Sequence, residues 1–279
     1  MAFAPVADAI TTGRIEDDSA GRVTTTVMLN GQGPYTFILD TGANRTVLAP
    51  EVVERLGITP TGPSAPITGV TGAHSAQQLR IASLETDAFR RSDVPAIVLG
   101  GHMLGDADGM IGGDGFANLR MSIDLDRRVF TLEEGGGAAP SGFVSIPGEL
   151  RRQHLLVVDV VIDGVRAKAL VDTGAEFSLI NRALATRLRT VRADDDGYAV
   201  SGAGPQSAFS EASEVALIRR LRLGSAQMGG VRAFLADLPV FRDLSGREEP
   251  AIVIGMDVWR RANVIAIDYA RAELQLRYE

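Results

Sequence analysis

Two aspartates in this chain have the surroundings expected of a catalytic carboxyl pair. Asp40 and Asp172 each follow an apolar run, and each begins the same four residues, Asp-Thr-Gly-Ala. A carboxylate at a strand end is costly to bury unless it is paired, and a glycine two residues later permits a close approach by another chain. One Asp-Thr-Gly alone would be interpreted as a turn or a cap. Two carboxyl groups side by side would share one proton, so that one acts as a base on water and the other as an acid towards a carbonyl oxygen.

An internal repeat puts both aspartates in equivalent places. Residues 35–43 return as residues 167–175, and the apolar-apolar-Gly segment 110–114 returns as 253–257. The order of these segments is the same in both halves, so the chain is interpreted as a duplicated domain. A pseudo-two-fold axis between the halves would bring the two aspartates together.

A Gly/Pro/Ser-rich stretch divides the two halves and predicts a flexible connection. The predicted organisation is an N-terminal lobe over residues 1–134, a linker over 135–142 and a C-terminal lobe over 143–279. Each lobe then contains one Asp-Thr-Gly motif.

The predicted secondary structure is mostly β, with one short helix after each Asp-Thr-Gly. Each half begins with a hairpin whose return strand leads into the aspartate. The predicted hairpin segments are strands 23–29 and 35–39 around the turn 30–33, and strands 155–162 and 165–171 around the turn 163–164. Pro50 suits the first position of a helix before residues 51–56, and Asn181 can cap a helix over 182–188. Further strands are predicted over residues 78–84, 94–99, 215–223 and 251–254.

These paired motifs resemble the aspartic proteases, and among them the retroviral-type (retropepsin-like) branch rather than the pepsin branch. The resemblance extends from about Gly21 to Leu276 in two tandem copies. Members of that branch are usually homodimers with one motif per subunit, so this chain resembles a bacterial single-chain form in which two subunits are fused. The resemblance implies an all-β, bilobal acid-protease fold with two pseudo-two-fold related lobes, each with a short helix.

The resemblance also implies a role for the first two residues of each motif. Asp40 and Asp172 would be the catalytic residues that hold the nucleophilic water between them. Thr41 and Thr173 would reach across the axis and hydrogen-bond the opposite loop, which fixes the geometry of the pair. The alternative for the threonines is a turn hydroxyl that faces solvent.

Four glycines complete the support that the resemblance implies. Gly42 and Gly174 would present backbone groups to the carboxylates and to a bound peptide. Gly112 and Gly255 would pass beneath the catalytic loops, where a larger side chain would collide. Both pairs of glycines occur at equivalent places in the repeat.

A protease of this type also needs a flap, a glycine-rich hairpin that closes over the substrate and excludes water. The two candidate flaps have Gly69 and Val70 in the first half and Gly202 and Ala203 in the second. Ordinary hairpin turns are the alternative. Neither segment has the tyrosine of pepsin-like flaps, which is a further reason to prefer the retroviral-type interpretation.

The residues after each Asp-Thr-Gly affect the expected pH dependence. Ala43 and Ala175 stand where pepsin-like enzymes usually have a serine or threonine, whose hydroxyl would stabilise the charged carboxylate. Glu176 adds a negative charge beside the second loop, unless its side chain points to solvent. Both features would let the pair keep its shared proton to higher pH, so a weakly acidic optimum is expected.

Composition excludes several other kinds of site. The 279 residues include 28 basic and 35 acidic side chains, and the net charge of −7 argues against a nucleic-acid or anionic-membrane binder that works by bulk charge. Without cysteine there is no thiol catalysis, thiolate zinc site or disulfide. The three histidines lack metal-ligand spacing, so no metal is expected. No cofactor is needed where water is the nucleophile.

The sequence thus predicts an aspartic endopeptidase that binds a peptide or protein substrate in extended conformation between its lobes. A monomer is expected, and a dimer that exchanges lobes between chains is the alternative. A non-catalytic peptide-binding or scaffold protein on the same fold is the alternative from another class, and the intact second aspartate argues against it. A periplasmic or membrane-associated location is expected if Met1 is not the natural N-terminus, and a cytoplasmic one if it is.

Overall fold

The computed structural model describes residues 11–61, 64–69, 72–100, 103–188, 190–192, 214–236, 238–244, 246 and 248–278. Strands make up 51% of the structure and helices 11%, which confirms the predicted all-β fold with two lobes. Among the helices so described, none is long and apolar enough to cross a membrane.

Both lobes follow the same order of hairpin, Asp-Thr-Gly loop, short strand and short helix. The elements of the first lobe are β1 (Thr11–Arg14), β2 (Glu16–Asp17), β3 (Val23–Leu29), β4 (Gln32–Leu39), β5 (Thr46–Leu48), α1 (Pro50–Leu56), β6 (Ala65–Gly69), β7 (Gly72–Glu85), β8 (Arg90–Val98), β9 (Gly109–Ile111), a 3-10 turn (Gly113–Phe116), β10 (Leu119–Asp124) and β11 (Val129–Glu134). Those of the second lobe are β12 (Val144–Arg151), β13 (Leu155–Ile162), β14 (Val165–Val171), β15 (Ser178–Ile180), α2 (Arg182–Ala185), β16 (Thr190–Arg192), β17 (Glu214–Ile218), β18 (Leu221–Leu223), β19 (Ala226–Met228), β20 (Val231–Leu235), α3 (Val240–Leu244), β21 (Ala251–Ile254), α4 (Met256–Trp259), β22 (Val264–Asp268) and β23 (Glu273–Arg277).

In each lobe the strand that leads into Asp-Thr-Gly lies between its hairpin partner and a strand from later in the chain. β4 pairs antiparallel with β3 and parallel with β9, and β14 pairs antiparallel with β13 and parallel with β21. The short strand after the motif, β5 or β15, pairs antiparallel with β9 or β21. Because both lobes have this pairing, the two Asp-Thr-Gly loops occupy equivalent positions.

The strands β4 and β14 are buried on both faces where they approach the motif. Leu39 and Val171 belong to the main hydrophobic core. Their neighbours Ile38 and Leu170 belong to two smaller clusters, one in each lobe. A strand that is buried on both faces needs apolar residues throughout, which explains the continuous apolar run before each aspartate.

A shared sheet joins the two lobes. β10 of the first lobe pairs antiparallel with β22 of the second, with Ile123 opposite Ile265. The sheet continues through β11 to β1 on one side and through β23 to β12 on the other. The lobes are therefore connected by main-chain hydrogen bonds as well as by side-chain packing.

The first hairpin turn is shorter than predicted. It contains Asn30 and Gly31, with φ values of 51° and 75°, and β4 follows directly. Asn-Gly tolerates two successive residues with positive φ, and such a two-residue turn matches the twist of its strands. The predicted four-residue turn 30–33 is therefore wrong. The second hairpin has its predicted turn at Asp163 and Gly164.

The helices after the motifs start where predicted, but the second is shorter. α1 begins at Pro50. Asn181 caps α2 by accepting a hydrogen bond from the N–H of Leu184 at 2.9 Å. Regular helix then ends at Ala185, so the predicted extent to residue 188 is wrong. The strands predicted over residues 78–84, 94–99 and 251–254 correspond to β7, β8 and β21.

The single strand predicted over residues 215–223 is two strands, β17 and β18. The break falls at Arg219 and Arg220, whose backbone N–H groups donate to the carboxylate of Asp163 at 3.1 and 2.8 Å. These N–H groups bind a side chain rather than a neighbouring strand, so the prediction of one continuous strand is wrong.

The segment between the lobes, predicted to be a flexible connection, is hydrogen-bonded on both sides. The N–H of Gly136 donates to both carboxylate oxygens of Asp268, at 3.0 and 2.9 Å. The N–H of Gly135 donates to the carbonyl of Asn118 at 3.2 Å. Asn118 belongs to the first lobe and Asp268 to the second, so the segment is attached to both. The lobe boundaries at residues 135 and 142 stay a prediction.

Asp268 is expected to contribute to stability through this attachment. Its side chain is fully buried and also accepts a hydrogen bond from the N–H of Arg271 at 3.0 Å. Asp268→Ala would leave the N–H groups of Gly136 and Arg271 without this acceptor. We therefore expect the free energy of unfolding, measured by urea denaturation, to fall by about 2 kcal/mol.

The matched control is Asp159→Ala, since the side chain of Asp159 is 83% exposed beside Lys168. It should change the free energy of unfolding by less than about 0.5 kcal/mol. Equal losses in the two variants would contradict the anchoring role of Asp268.

Candidate active site

Asp40 and Asp172 lie one residue beyond the ends of β4 and β14. The N–H of Asp40 donates to the carbonyl of Ile111 at 3.0 Å, and that of Asp172 to the carbonyl of Ile254 at 3.1 Å. These bonds extend the parallel pairing with β9 and β21 by one residue, so the sheet itself holds both aspartates. The residues are nearly inaccessible, with Asp40 9% exposed and Asp172 3% exposed.

Each Asp-Thr-Gly loop turns back on its own carboxyl group. Oδ1 of Asp40 accepts hydrogen bonds from the N–H groups of Gly42 at 2.8 Å and Ala43 at 3.0 Å. Oδ1 of Asp172 accepts from the N–H groups two and three residues further on, again at 2.8 and 3.0 Å. The two loops thus bind their carboxyl groups with the same geometry.

Gly42 and Gly174 each face the carboxyl group of the opposite lobe. A Cβ atom on Gly42 would collide with the carboxyl group of Asp172, and one on Gly174 would collide with that of Asp40. The two carboxyl groups therefore lie near each other where the lobes meet, each against the loop of the opposite lobe. A side chain at either glycine would push the loops apart, so this contact between the lobes requires glycine at both positions.

Thr41 and Thr173 exchange hydrogen bonds across the interface between the lobes. The hydroxyl of Thr41 donates to the carbonyl of Val171 at 2.8 Å, and that of Thr173 donates to the carbonyl of Leu39 at 2.5 Å. Each hydroxyl also accepts from the N–H of the other threonine, at 3.0 and 3.2 Å. Both side chains are buried, so neither is the solvent-facing turn hydroxyl considered above.

The pKa of both carboxyl groups is raised above the ordinary value for aspartate. Burial is the main cause for Asp40, and it is opposed by the N–H of Gly42, by attraction to Arg22 and by the N–H of Ala43. Burial is also the main cause for Asp172, and the negative charge of Asp40 raises its pKa further. The pair therefore keeps one shared proton in a pH range where an ordinary aspartate has lost its own.

Gly112 and Gly255 lie directly behind the two loops. A Cβ atom on Gly112 would lie 2.6 Å from the carbonyl oxygen of Arg45. A Cβ atom on Gly255 would lie 2.8 Å from the backbone of Phe177 and 2.9 Å from the carbonyl oxygen of Ala175. Because the colliding atoms belong to the backbone, these contacts exclude any larger residue.

Two further carboxyl groups support the loops, and the sequence analysis did not identify them as part of the site. Asp114 accepts hydrogen bonds from Thr46, at 3.2 Å from the N–H and 2.9 Å from the hydroxyl. Asp257 accepts from the hydroxyl of Ser178 at 2.8 Å, and that oxygen in turn accepts from the N–H of Gly255 at 3.1 Å. Burial raises the pKa of Asp114, and it raises the pKa of Asp257 to about 6. The repeat was the available signal, because Asp114 and Asp257 each stand two residues after the equivalent glycine, Gly112 or Gly255.

Glu176 does not extend freely into solvent. It is partly buried, and the charges of Arg22, Asp18 and Asp257 act on it. Its Oε2 has no hydrogen-bond partner among the described residues. Burial raises the pKa of Glu176 to about 7, against attraction to Arg22. The expectation that Glu176 raises the pKa of the pair stays a prediction.

The first candidate flap is described in part. β6 and β7 form an antiparallel hairpin with Gly69 opposite Gly72. Val70, Gly202 and Ala203 lie outside the described residues. In the part of the chain that the structure covers, no group of three His, Cys, Asp or Glu side chains could hold a metal ion.

Comparison with known protein families gives a match in each lobe. The sequence model of a family described as aspartyl protease matches residues 25–114 and 158–258, and each region contains one Asp-Thr-Gly motif. No curated protein matches the chain. The two matched regions together make up more than half of the chain, which therefore belongs to the aspartyl protease family.

Proposed function

We propose that the protein is an aspartic endopeptidase in which Asp40 and Asp172 activate a water molecule between them to hydrolyse a peptide bond. The observation that carries this proposal is the pair of buried carboxyl groups, each packed against the Asp-Thr-Gly loop of the opposite lobe and each with a raised pKa. Membership of the aspartyl protease family supports peptide bonds as the substrate.

The reaction needs the singly protonated pair. The ionised carboxylate takes a proton from water while the water oxygen attacks the carbonyl carbon, and the protonated carboxyl group gives its proton to the carbonyl oxygen. The tetrahedral intermediate then breaks its C–N bond as the first carboxyl group returns a proton to the nitrogen. A hydroxyl proton of the intermediate passes to the second carboxylate, which restores the starting state.

The surroundings of the pair support this chemistry in two ways. The exchanged hydrogen bonds of Thr41 and Thr173 would hold the carboxyl groups at a fixed separation during proton transfer. The N–H groups of Gly42 and Gly174 stabilise negative charge on the adjacent Oδ1 atoms. Fixed dipoles of this kind act more effectively in a buried site than in water, because they need no reorganisation during the reaction.

The substrate proposed for this site is an extended peptide that lies across the interface between the lobes. The proposed flaps, with Gly69 and Val70 in the first lobe and Gly202 and Ala203 in the second, would close over it. The described hairpin of β6 and β7 supports the first of them. Its closure would exclude water other than the nucleophile.

A non-catalytic peptide-binding protein on the same fold is less well supported. Two adjacent buried carboxyl groups cost folding energy, and a protein that needed only the fold would lose little by replacing one of them. This chain has aspartate in both loops, held in the same way. The proposal of a catalytic pair gives both residues a reason to be present.

Asp40→Asn and Asp172→Asn should each reduce peptide hydrolysis by about 10³-fold or more, because an amide can neither accept the proton of water nor share one across the pair. Digestion of a peptide library, with products identified by mass spectrometry, measures the loss. The control Asp159→Asn makes the same chemical change at an exposed position and should keep full activity. Substantial hydrolysis by either variant of the pair, after purification and with a native circular dichroism spectrum, would refute the assignment.

A mixture of the two inactive variants should stay inactive. The active species is proposed to be a monomer, because the lobes of one chain are joined through β10, β22 and the anchored segment at Gly136. Light scattering should give the mass of one chain. Recovery of activity after mixing Asp40→Asn with Asp172→Asn would support exchange of lobes between chains instead.

The double variant with Ala43→Ser and Ala175→Ser should shift the pH profile of kcat/KM towards lower pH. Burial raises the pKa of both aspartates, so the wild type should have a bell-shaped profile with a weakly acidic optimum. A serine hydroxyl that donates to each carboxylate would stabilise the charged form and lower the acidic limb by up to about one pH unit. A wild-type optimum at about pH 2, or an unchanged limb in the double variant, would contradict this explanation.

A further inference from the structure

A row of side chains crosses the outer face of the hairpin in the second lobe. Val161 of β13 pairs directly with Arg166 of β14 on one side and with Arg222 of β18 on the other. Gln227 of β19 continues the row beyond Arg222. Direct partners in an antiparallel pair point to the same face of the sheet, so these four side chains share one surface. Both arginines are exposed there.

The same surface continues into a groove beside α3. Lys168 lies two residues after Arg166 on β14 and therefore points to the same side of the sheet. Arg166, Lys168 and Arg242 of α3 line this groove, which has a volume of about 470 Å³. We call the four basic residues Arg166, Lys168, Arg222 and Arg242 the basic face.

Three of the four residues of the basic face have no partner for their side chain. Within the part of the chain that the structure describes, no hydrogen bond or ion pair involves the guanidinium group of Arg166, Arg222 or Arg242. Lys168 is the exception, because its Nζ lies 2.9 Å from Oδ1 of Asp159. The permanent charge of each arginine is therefore available to a ligand.

The carboxylates around the basic face already have partners. Glu149 pairs with Arg151 at 2.7 Å, and Asp243 pairs with Arg152. Glu249, which also lines the groove, has a partner as well. The unpaired guanidinium groups consequently give this surface a local excess of positive charge, although the whole chain has a net charge of −7.

The equivalent face of the first lobe does not have these basic residues. Strand register places Glu85 at the equivalent of Arg222, and Thr36 at the equivalent of Lys168. Both lobes have the same strand pairing at this place, so the fold does not require basic side chains there. The difference between the lobes therefore points to binding rather than to stability.

The shape and spacing of the basic face favour an extended acidic peptide. Direct partners in antiparallel strands are about 5 Å apart, so the Cα atoms of Arg166 and Arg222 are about 10 Å apart. Side chains on one face of an extended peptide recur about every 6.6 Å, and arginine can bind a carboxylate through two parallel hydrogen bonds. A row of carboxylates fits this arrangement better than a single small anion. The groove is concave and suits a chain better than a flat membrane surface.

The basic face lies at a distance from the carboxyl pair, and β14 connects the two. Lys168 is four residues and Arg166 six residues before Asp172, which corresponds to about 13 and 20 Å along a strand. A segment bound at Arg166 must therefore be at least about six extended residues away from a peptide bond held at the pair. Such a site can bind a long substrate without contacting the residues around the bond to be cleaved.

We propose that the basic face is a docking surface for an acidic segment of the protein substrate, remote from the bond that is cleaved. The substrate part of this inference rests on the proposed function, whereas the binding of acidic peptides does not. Docking would raise the local concentration of the rest of the substrate at the cleft. The substrates favoured by the protein would then be proteins with a run of Asp or Glu outside the cleaved sequence.

The first experiment measures binding and needs no activity. A fluorescein-labelled peptide of six glutamates is titrated with the Asp40→Asn protein at about pH 6, where glutamate is ionised, and fluorescence anisotropy gives the Kd. Replacing both Arg166→Gln and Arg222→Gln should weaken binding by about tenfold, and Arg222→Glu, which introduces the charge of Glu85, should weaken it at least as much. Binding should also weaken between about 0.1 M and 1 M NaCl, because salt shortens the range of exposed charges.

The matched control removes two arginines from the first lobe. Arg90 and Arg127 are 69% and 79% exposed, so Arg90→Gln with Arg127→Gln changes the net charge equally and should leave the Kd unchanged. An equal loss in both double variants would overturn the inference, since bulk charge would then explain the binding. Binding of phosphatidylserine vesicles but not of the glutamate peptide would overturn the choice of partner. Self-association in light scattering that requires Arg166 and Arg222 would overturn it in favour of a second copy of the chain.

The second experiment compares two substrates with active protein. Both contain one cleavable sequence followed by a flexible Gly/Ser linker, and they end in six glutamates or in six glutamines. Wild type should cleave the glutamate substrate with a kcat/KM about tenfold higher, mainly through a lower KM, and Arg166→Gln with Arg222→Gln should abolish this preference. The glutamine substrate is the reference for each variant.

The outcomes separate this inference from the proposed function. If wild type cleaves both substrates equally well, or if the preference persists in the double variant, the inference fails and the proposed function stands. If neither substrate is cleaved while the glutamate peptide binds wild type tenfold more tightly than the double variant, the proposed function fails, and the basic face stands as a site for acidic peptides.

Discussion

Two carboxyl groups that would repel each other when ionised are packed into contact, and most of the surrounding structure serves to hold them there. Gly42 and Gly174 leave room for the opposite carboxyl group, and Thr41 and Thr173 tie each loop to the strand of the other lobe. The loops extend from parallel strand pairs that are buried on both faces. Since neither loop is complete without its counterpart, the site exists only where the two lobes meet.

Several features reduce the electrostatic cost of placing the two carboxyl groups together, and the pair can still carry a negative charge. Two backbone N–H groups bind Oδ1 of each aspartate, and burial raises the pKa of both carboxyl groups. A second layer of carboxyl groups, Asp114 and Asp257, fixes the short strands behind the loops through Thr46 and Ser178. The result is a site with several acidic groups in a small volume, which differ in how readily each one ionises.

The sequence predicted features that are set by residues close together in the chain or by a motif that is repeated. The repeat revealed Asp40 and Asp172, and the Asp163 turn has its predicted length. Features that depend on distant partners were missed. Arg22 is held by carbonyls more than eighty residues away, and the break before β18 arises because Asp163 binds the N–H groups of residues 219 and 220. No local sequence pattern indicates such long-range contacts, whereas a repeated motif can be recognised from the sequence alone.

The unlike lobes have a consequence for recognition. A polypeptide has a direction, from its amino to its carboxyl end, and a site built from two identical subunits presents the same surface to a peptide and to its reverse. In this chain the first lobe has Arg22 where the second has Leu155, and the second has Glu176 where the first has Asn44. Joining both halves in one chain allows each lobe to change independently. A peptide bound between the lobes, as proposed above, would therefore meet different side chains in its two directions, whereas a symmetric homodimer presents the same ones.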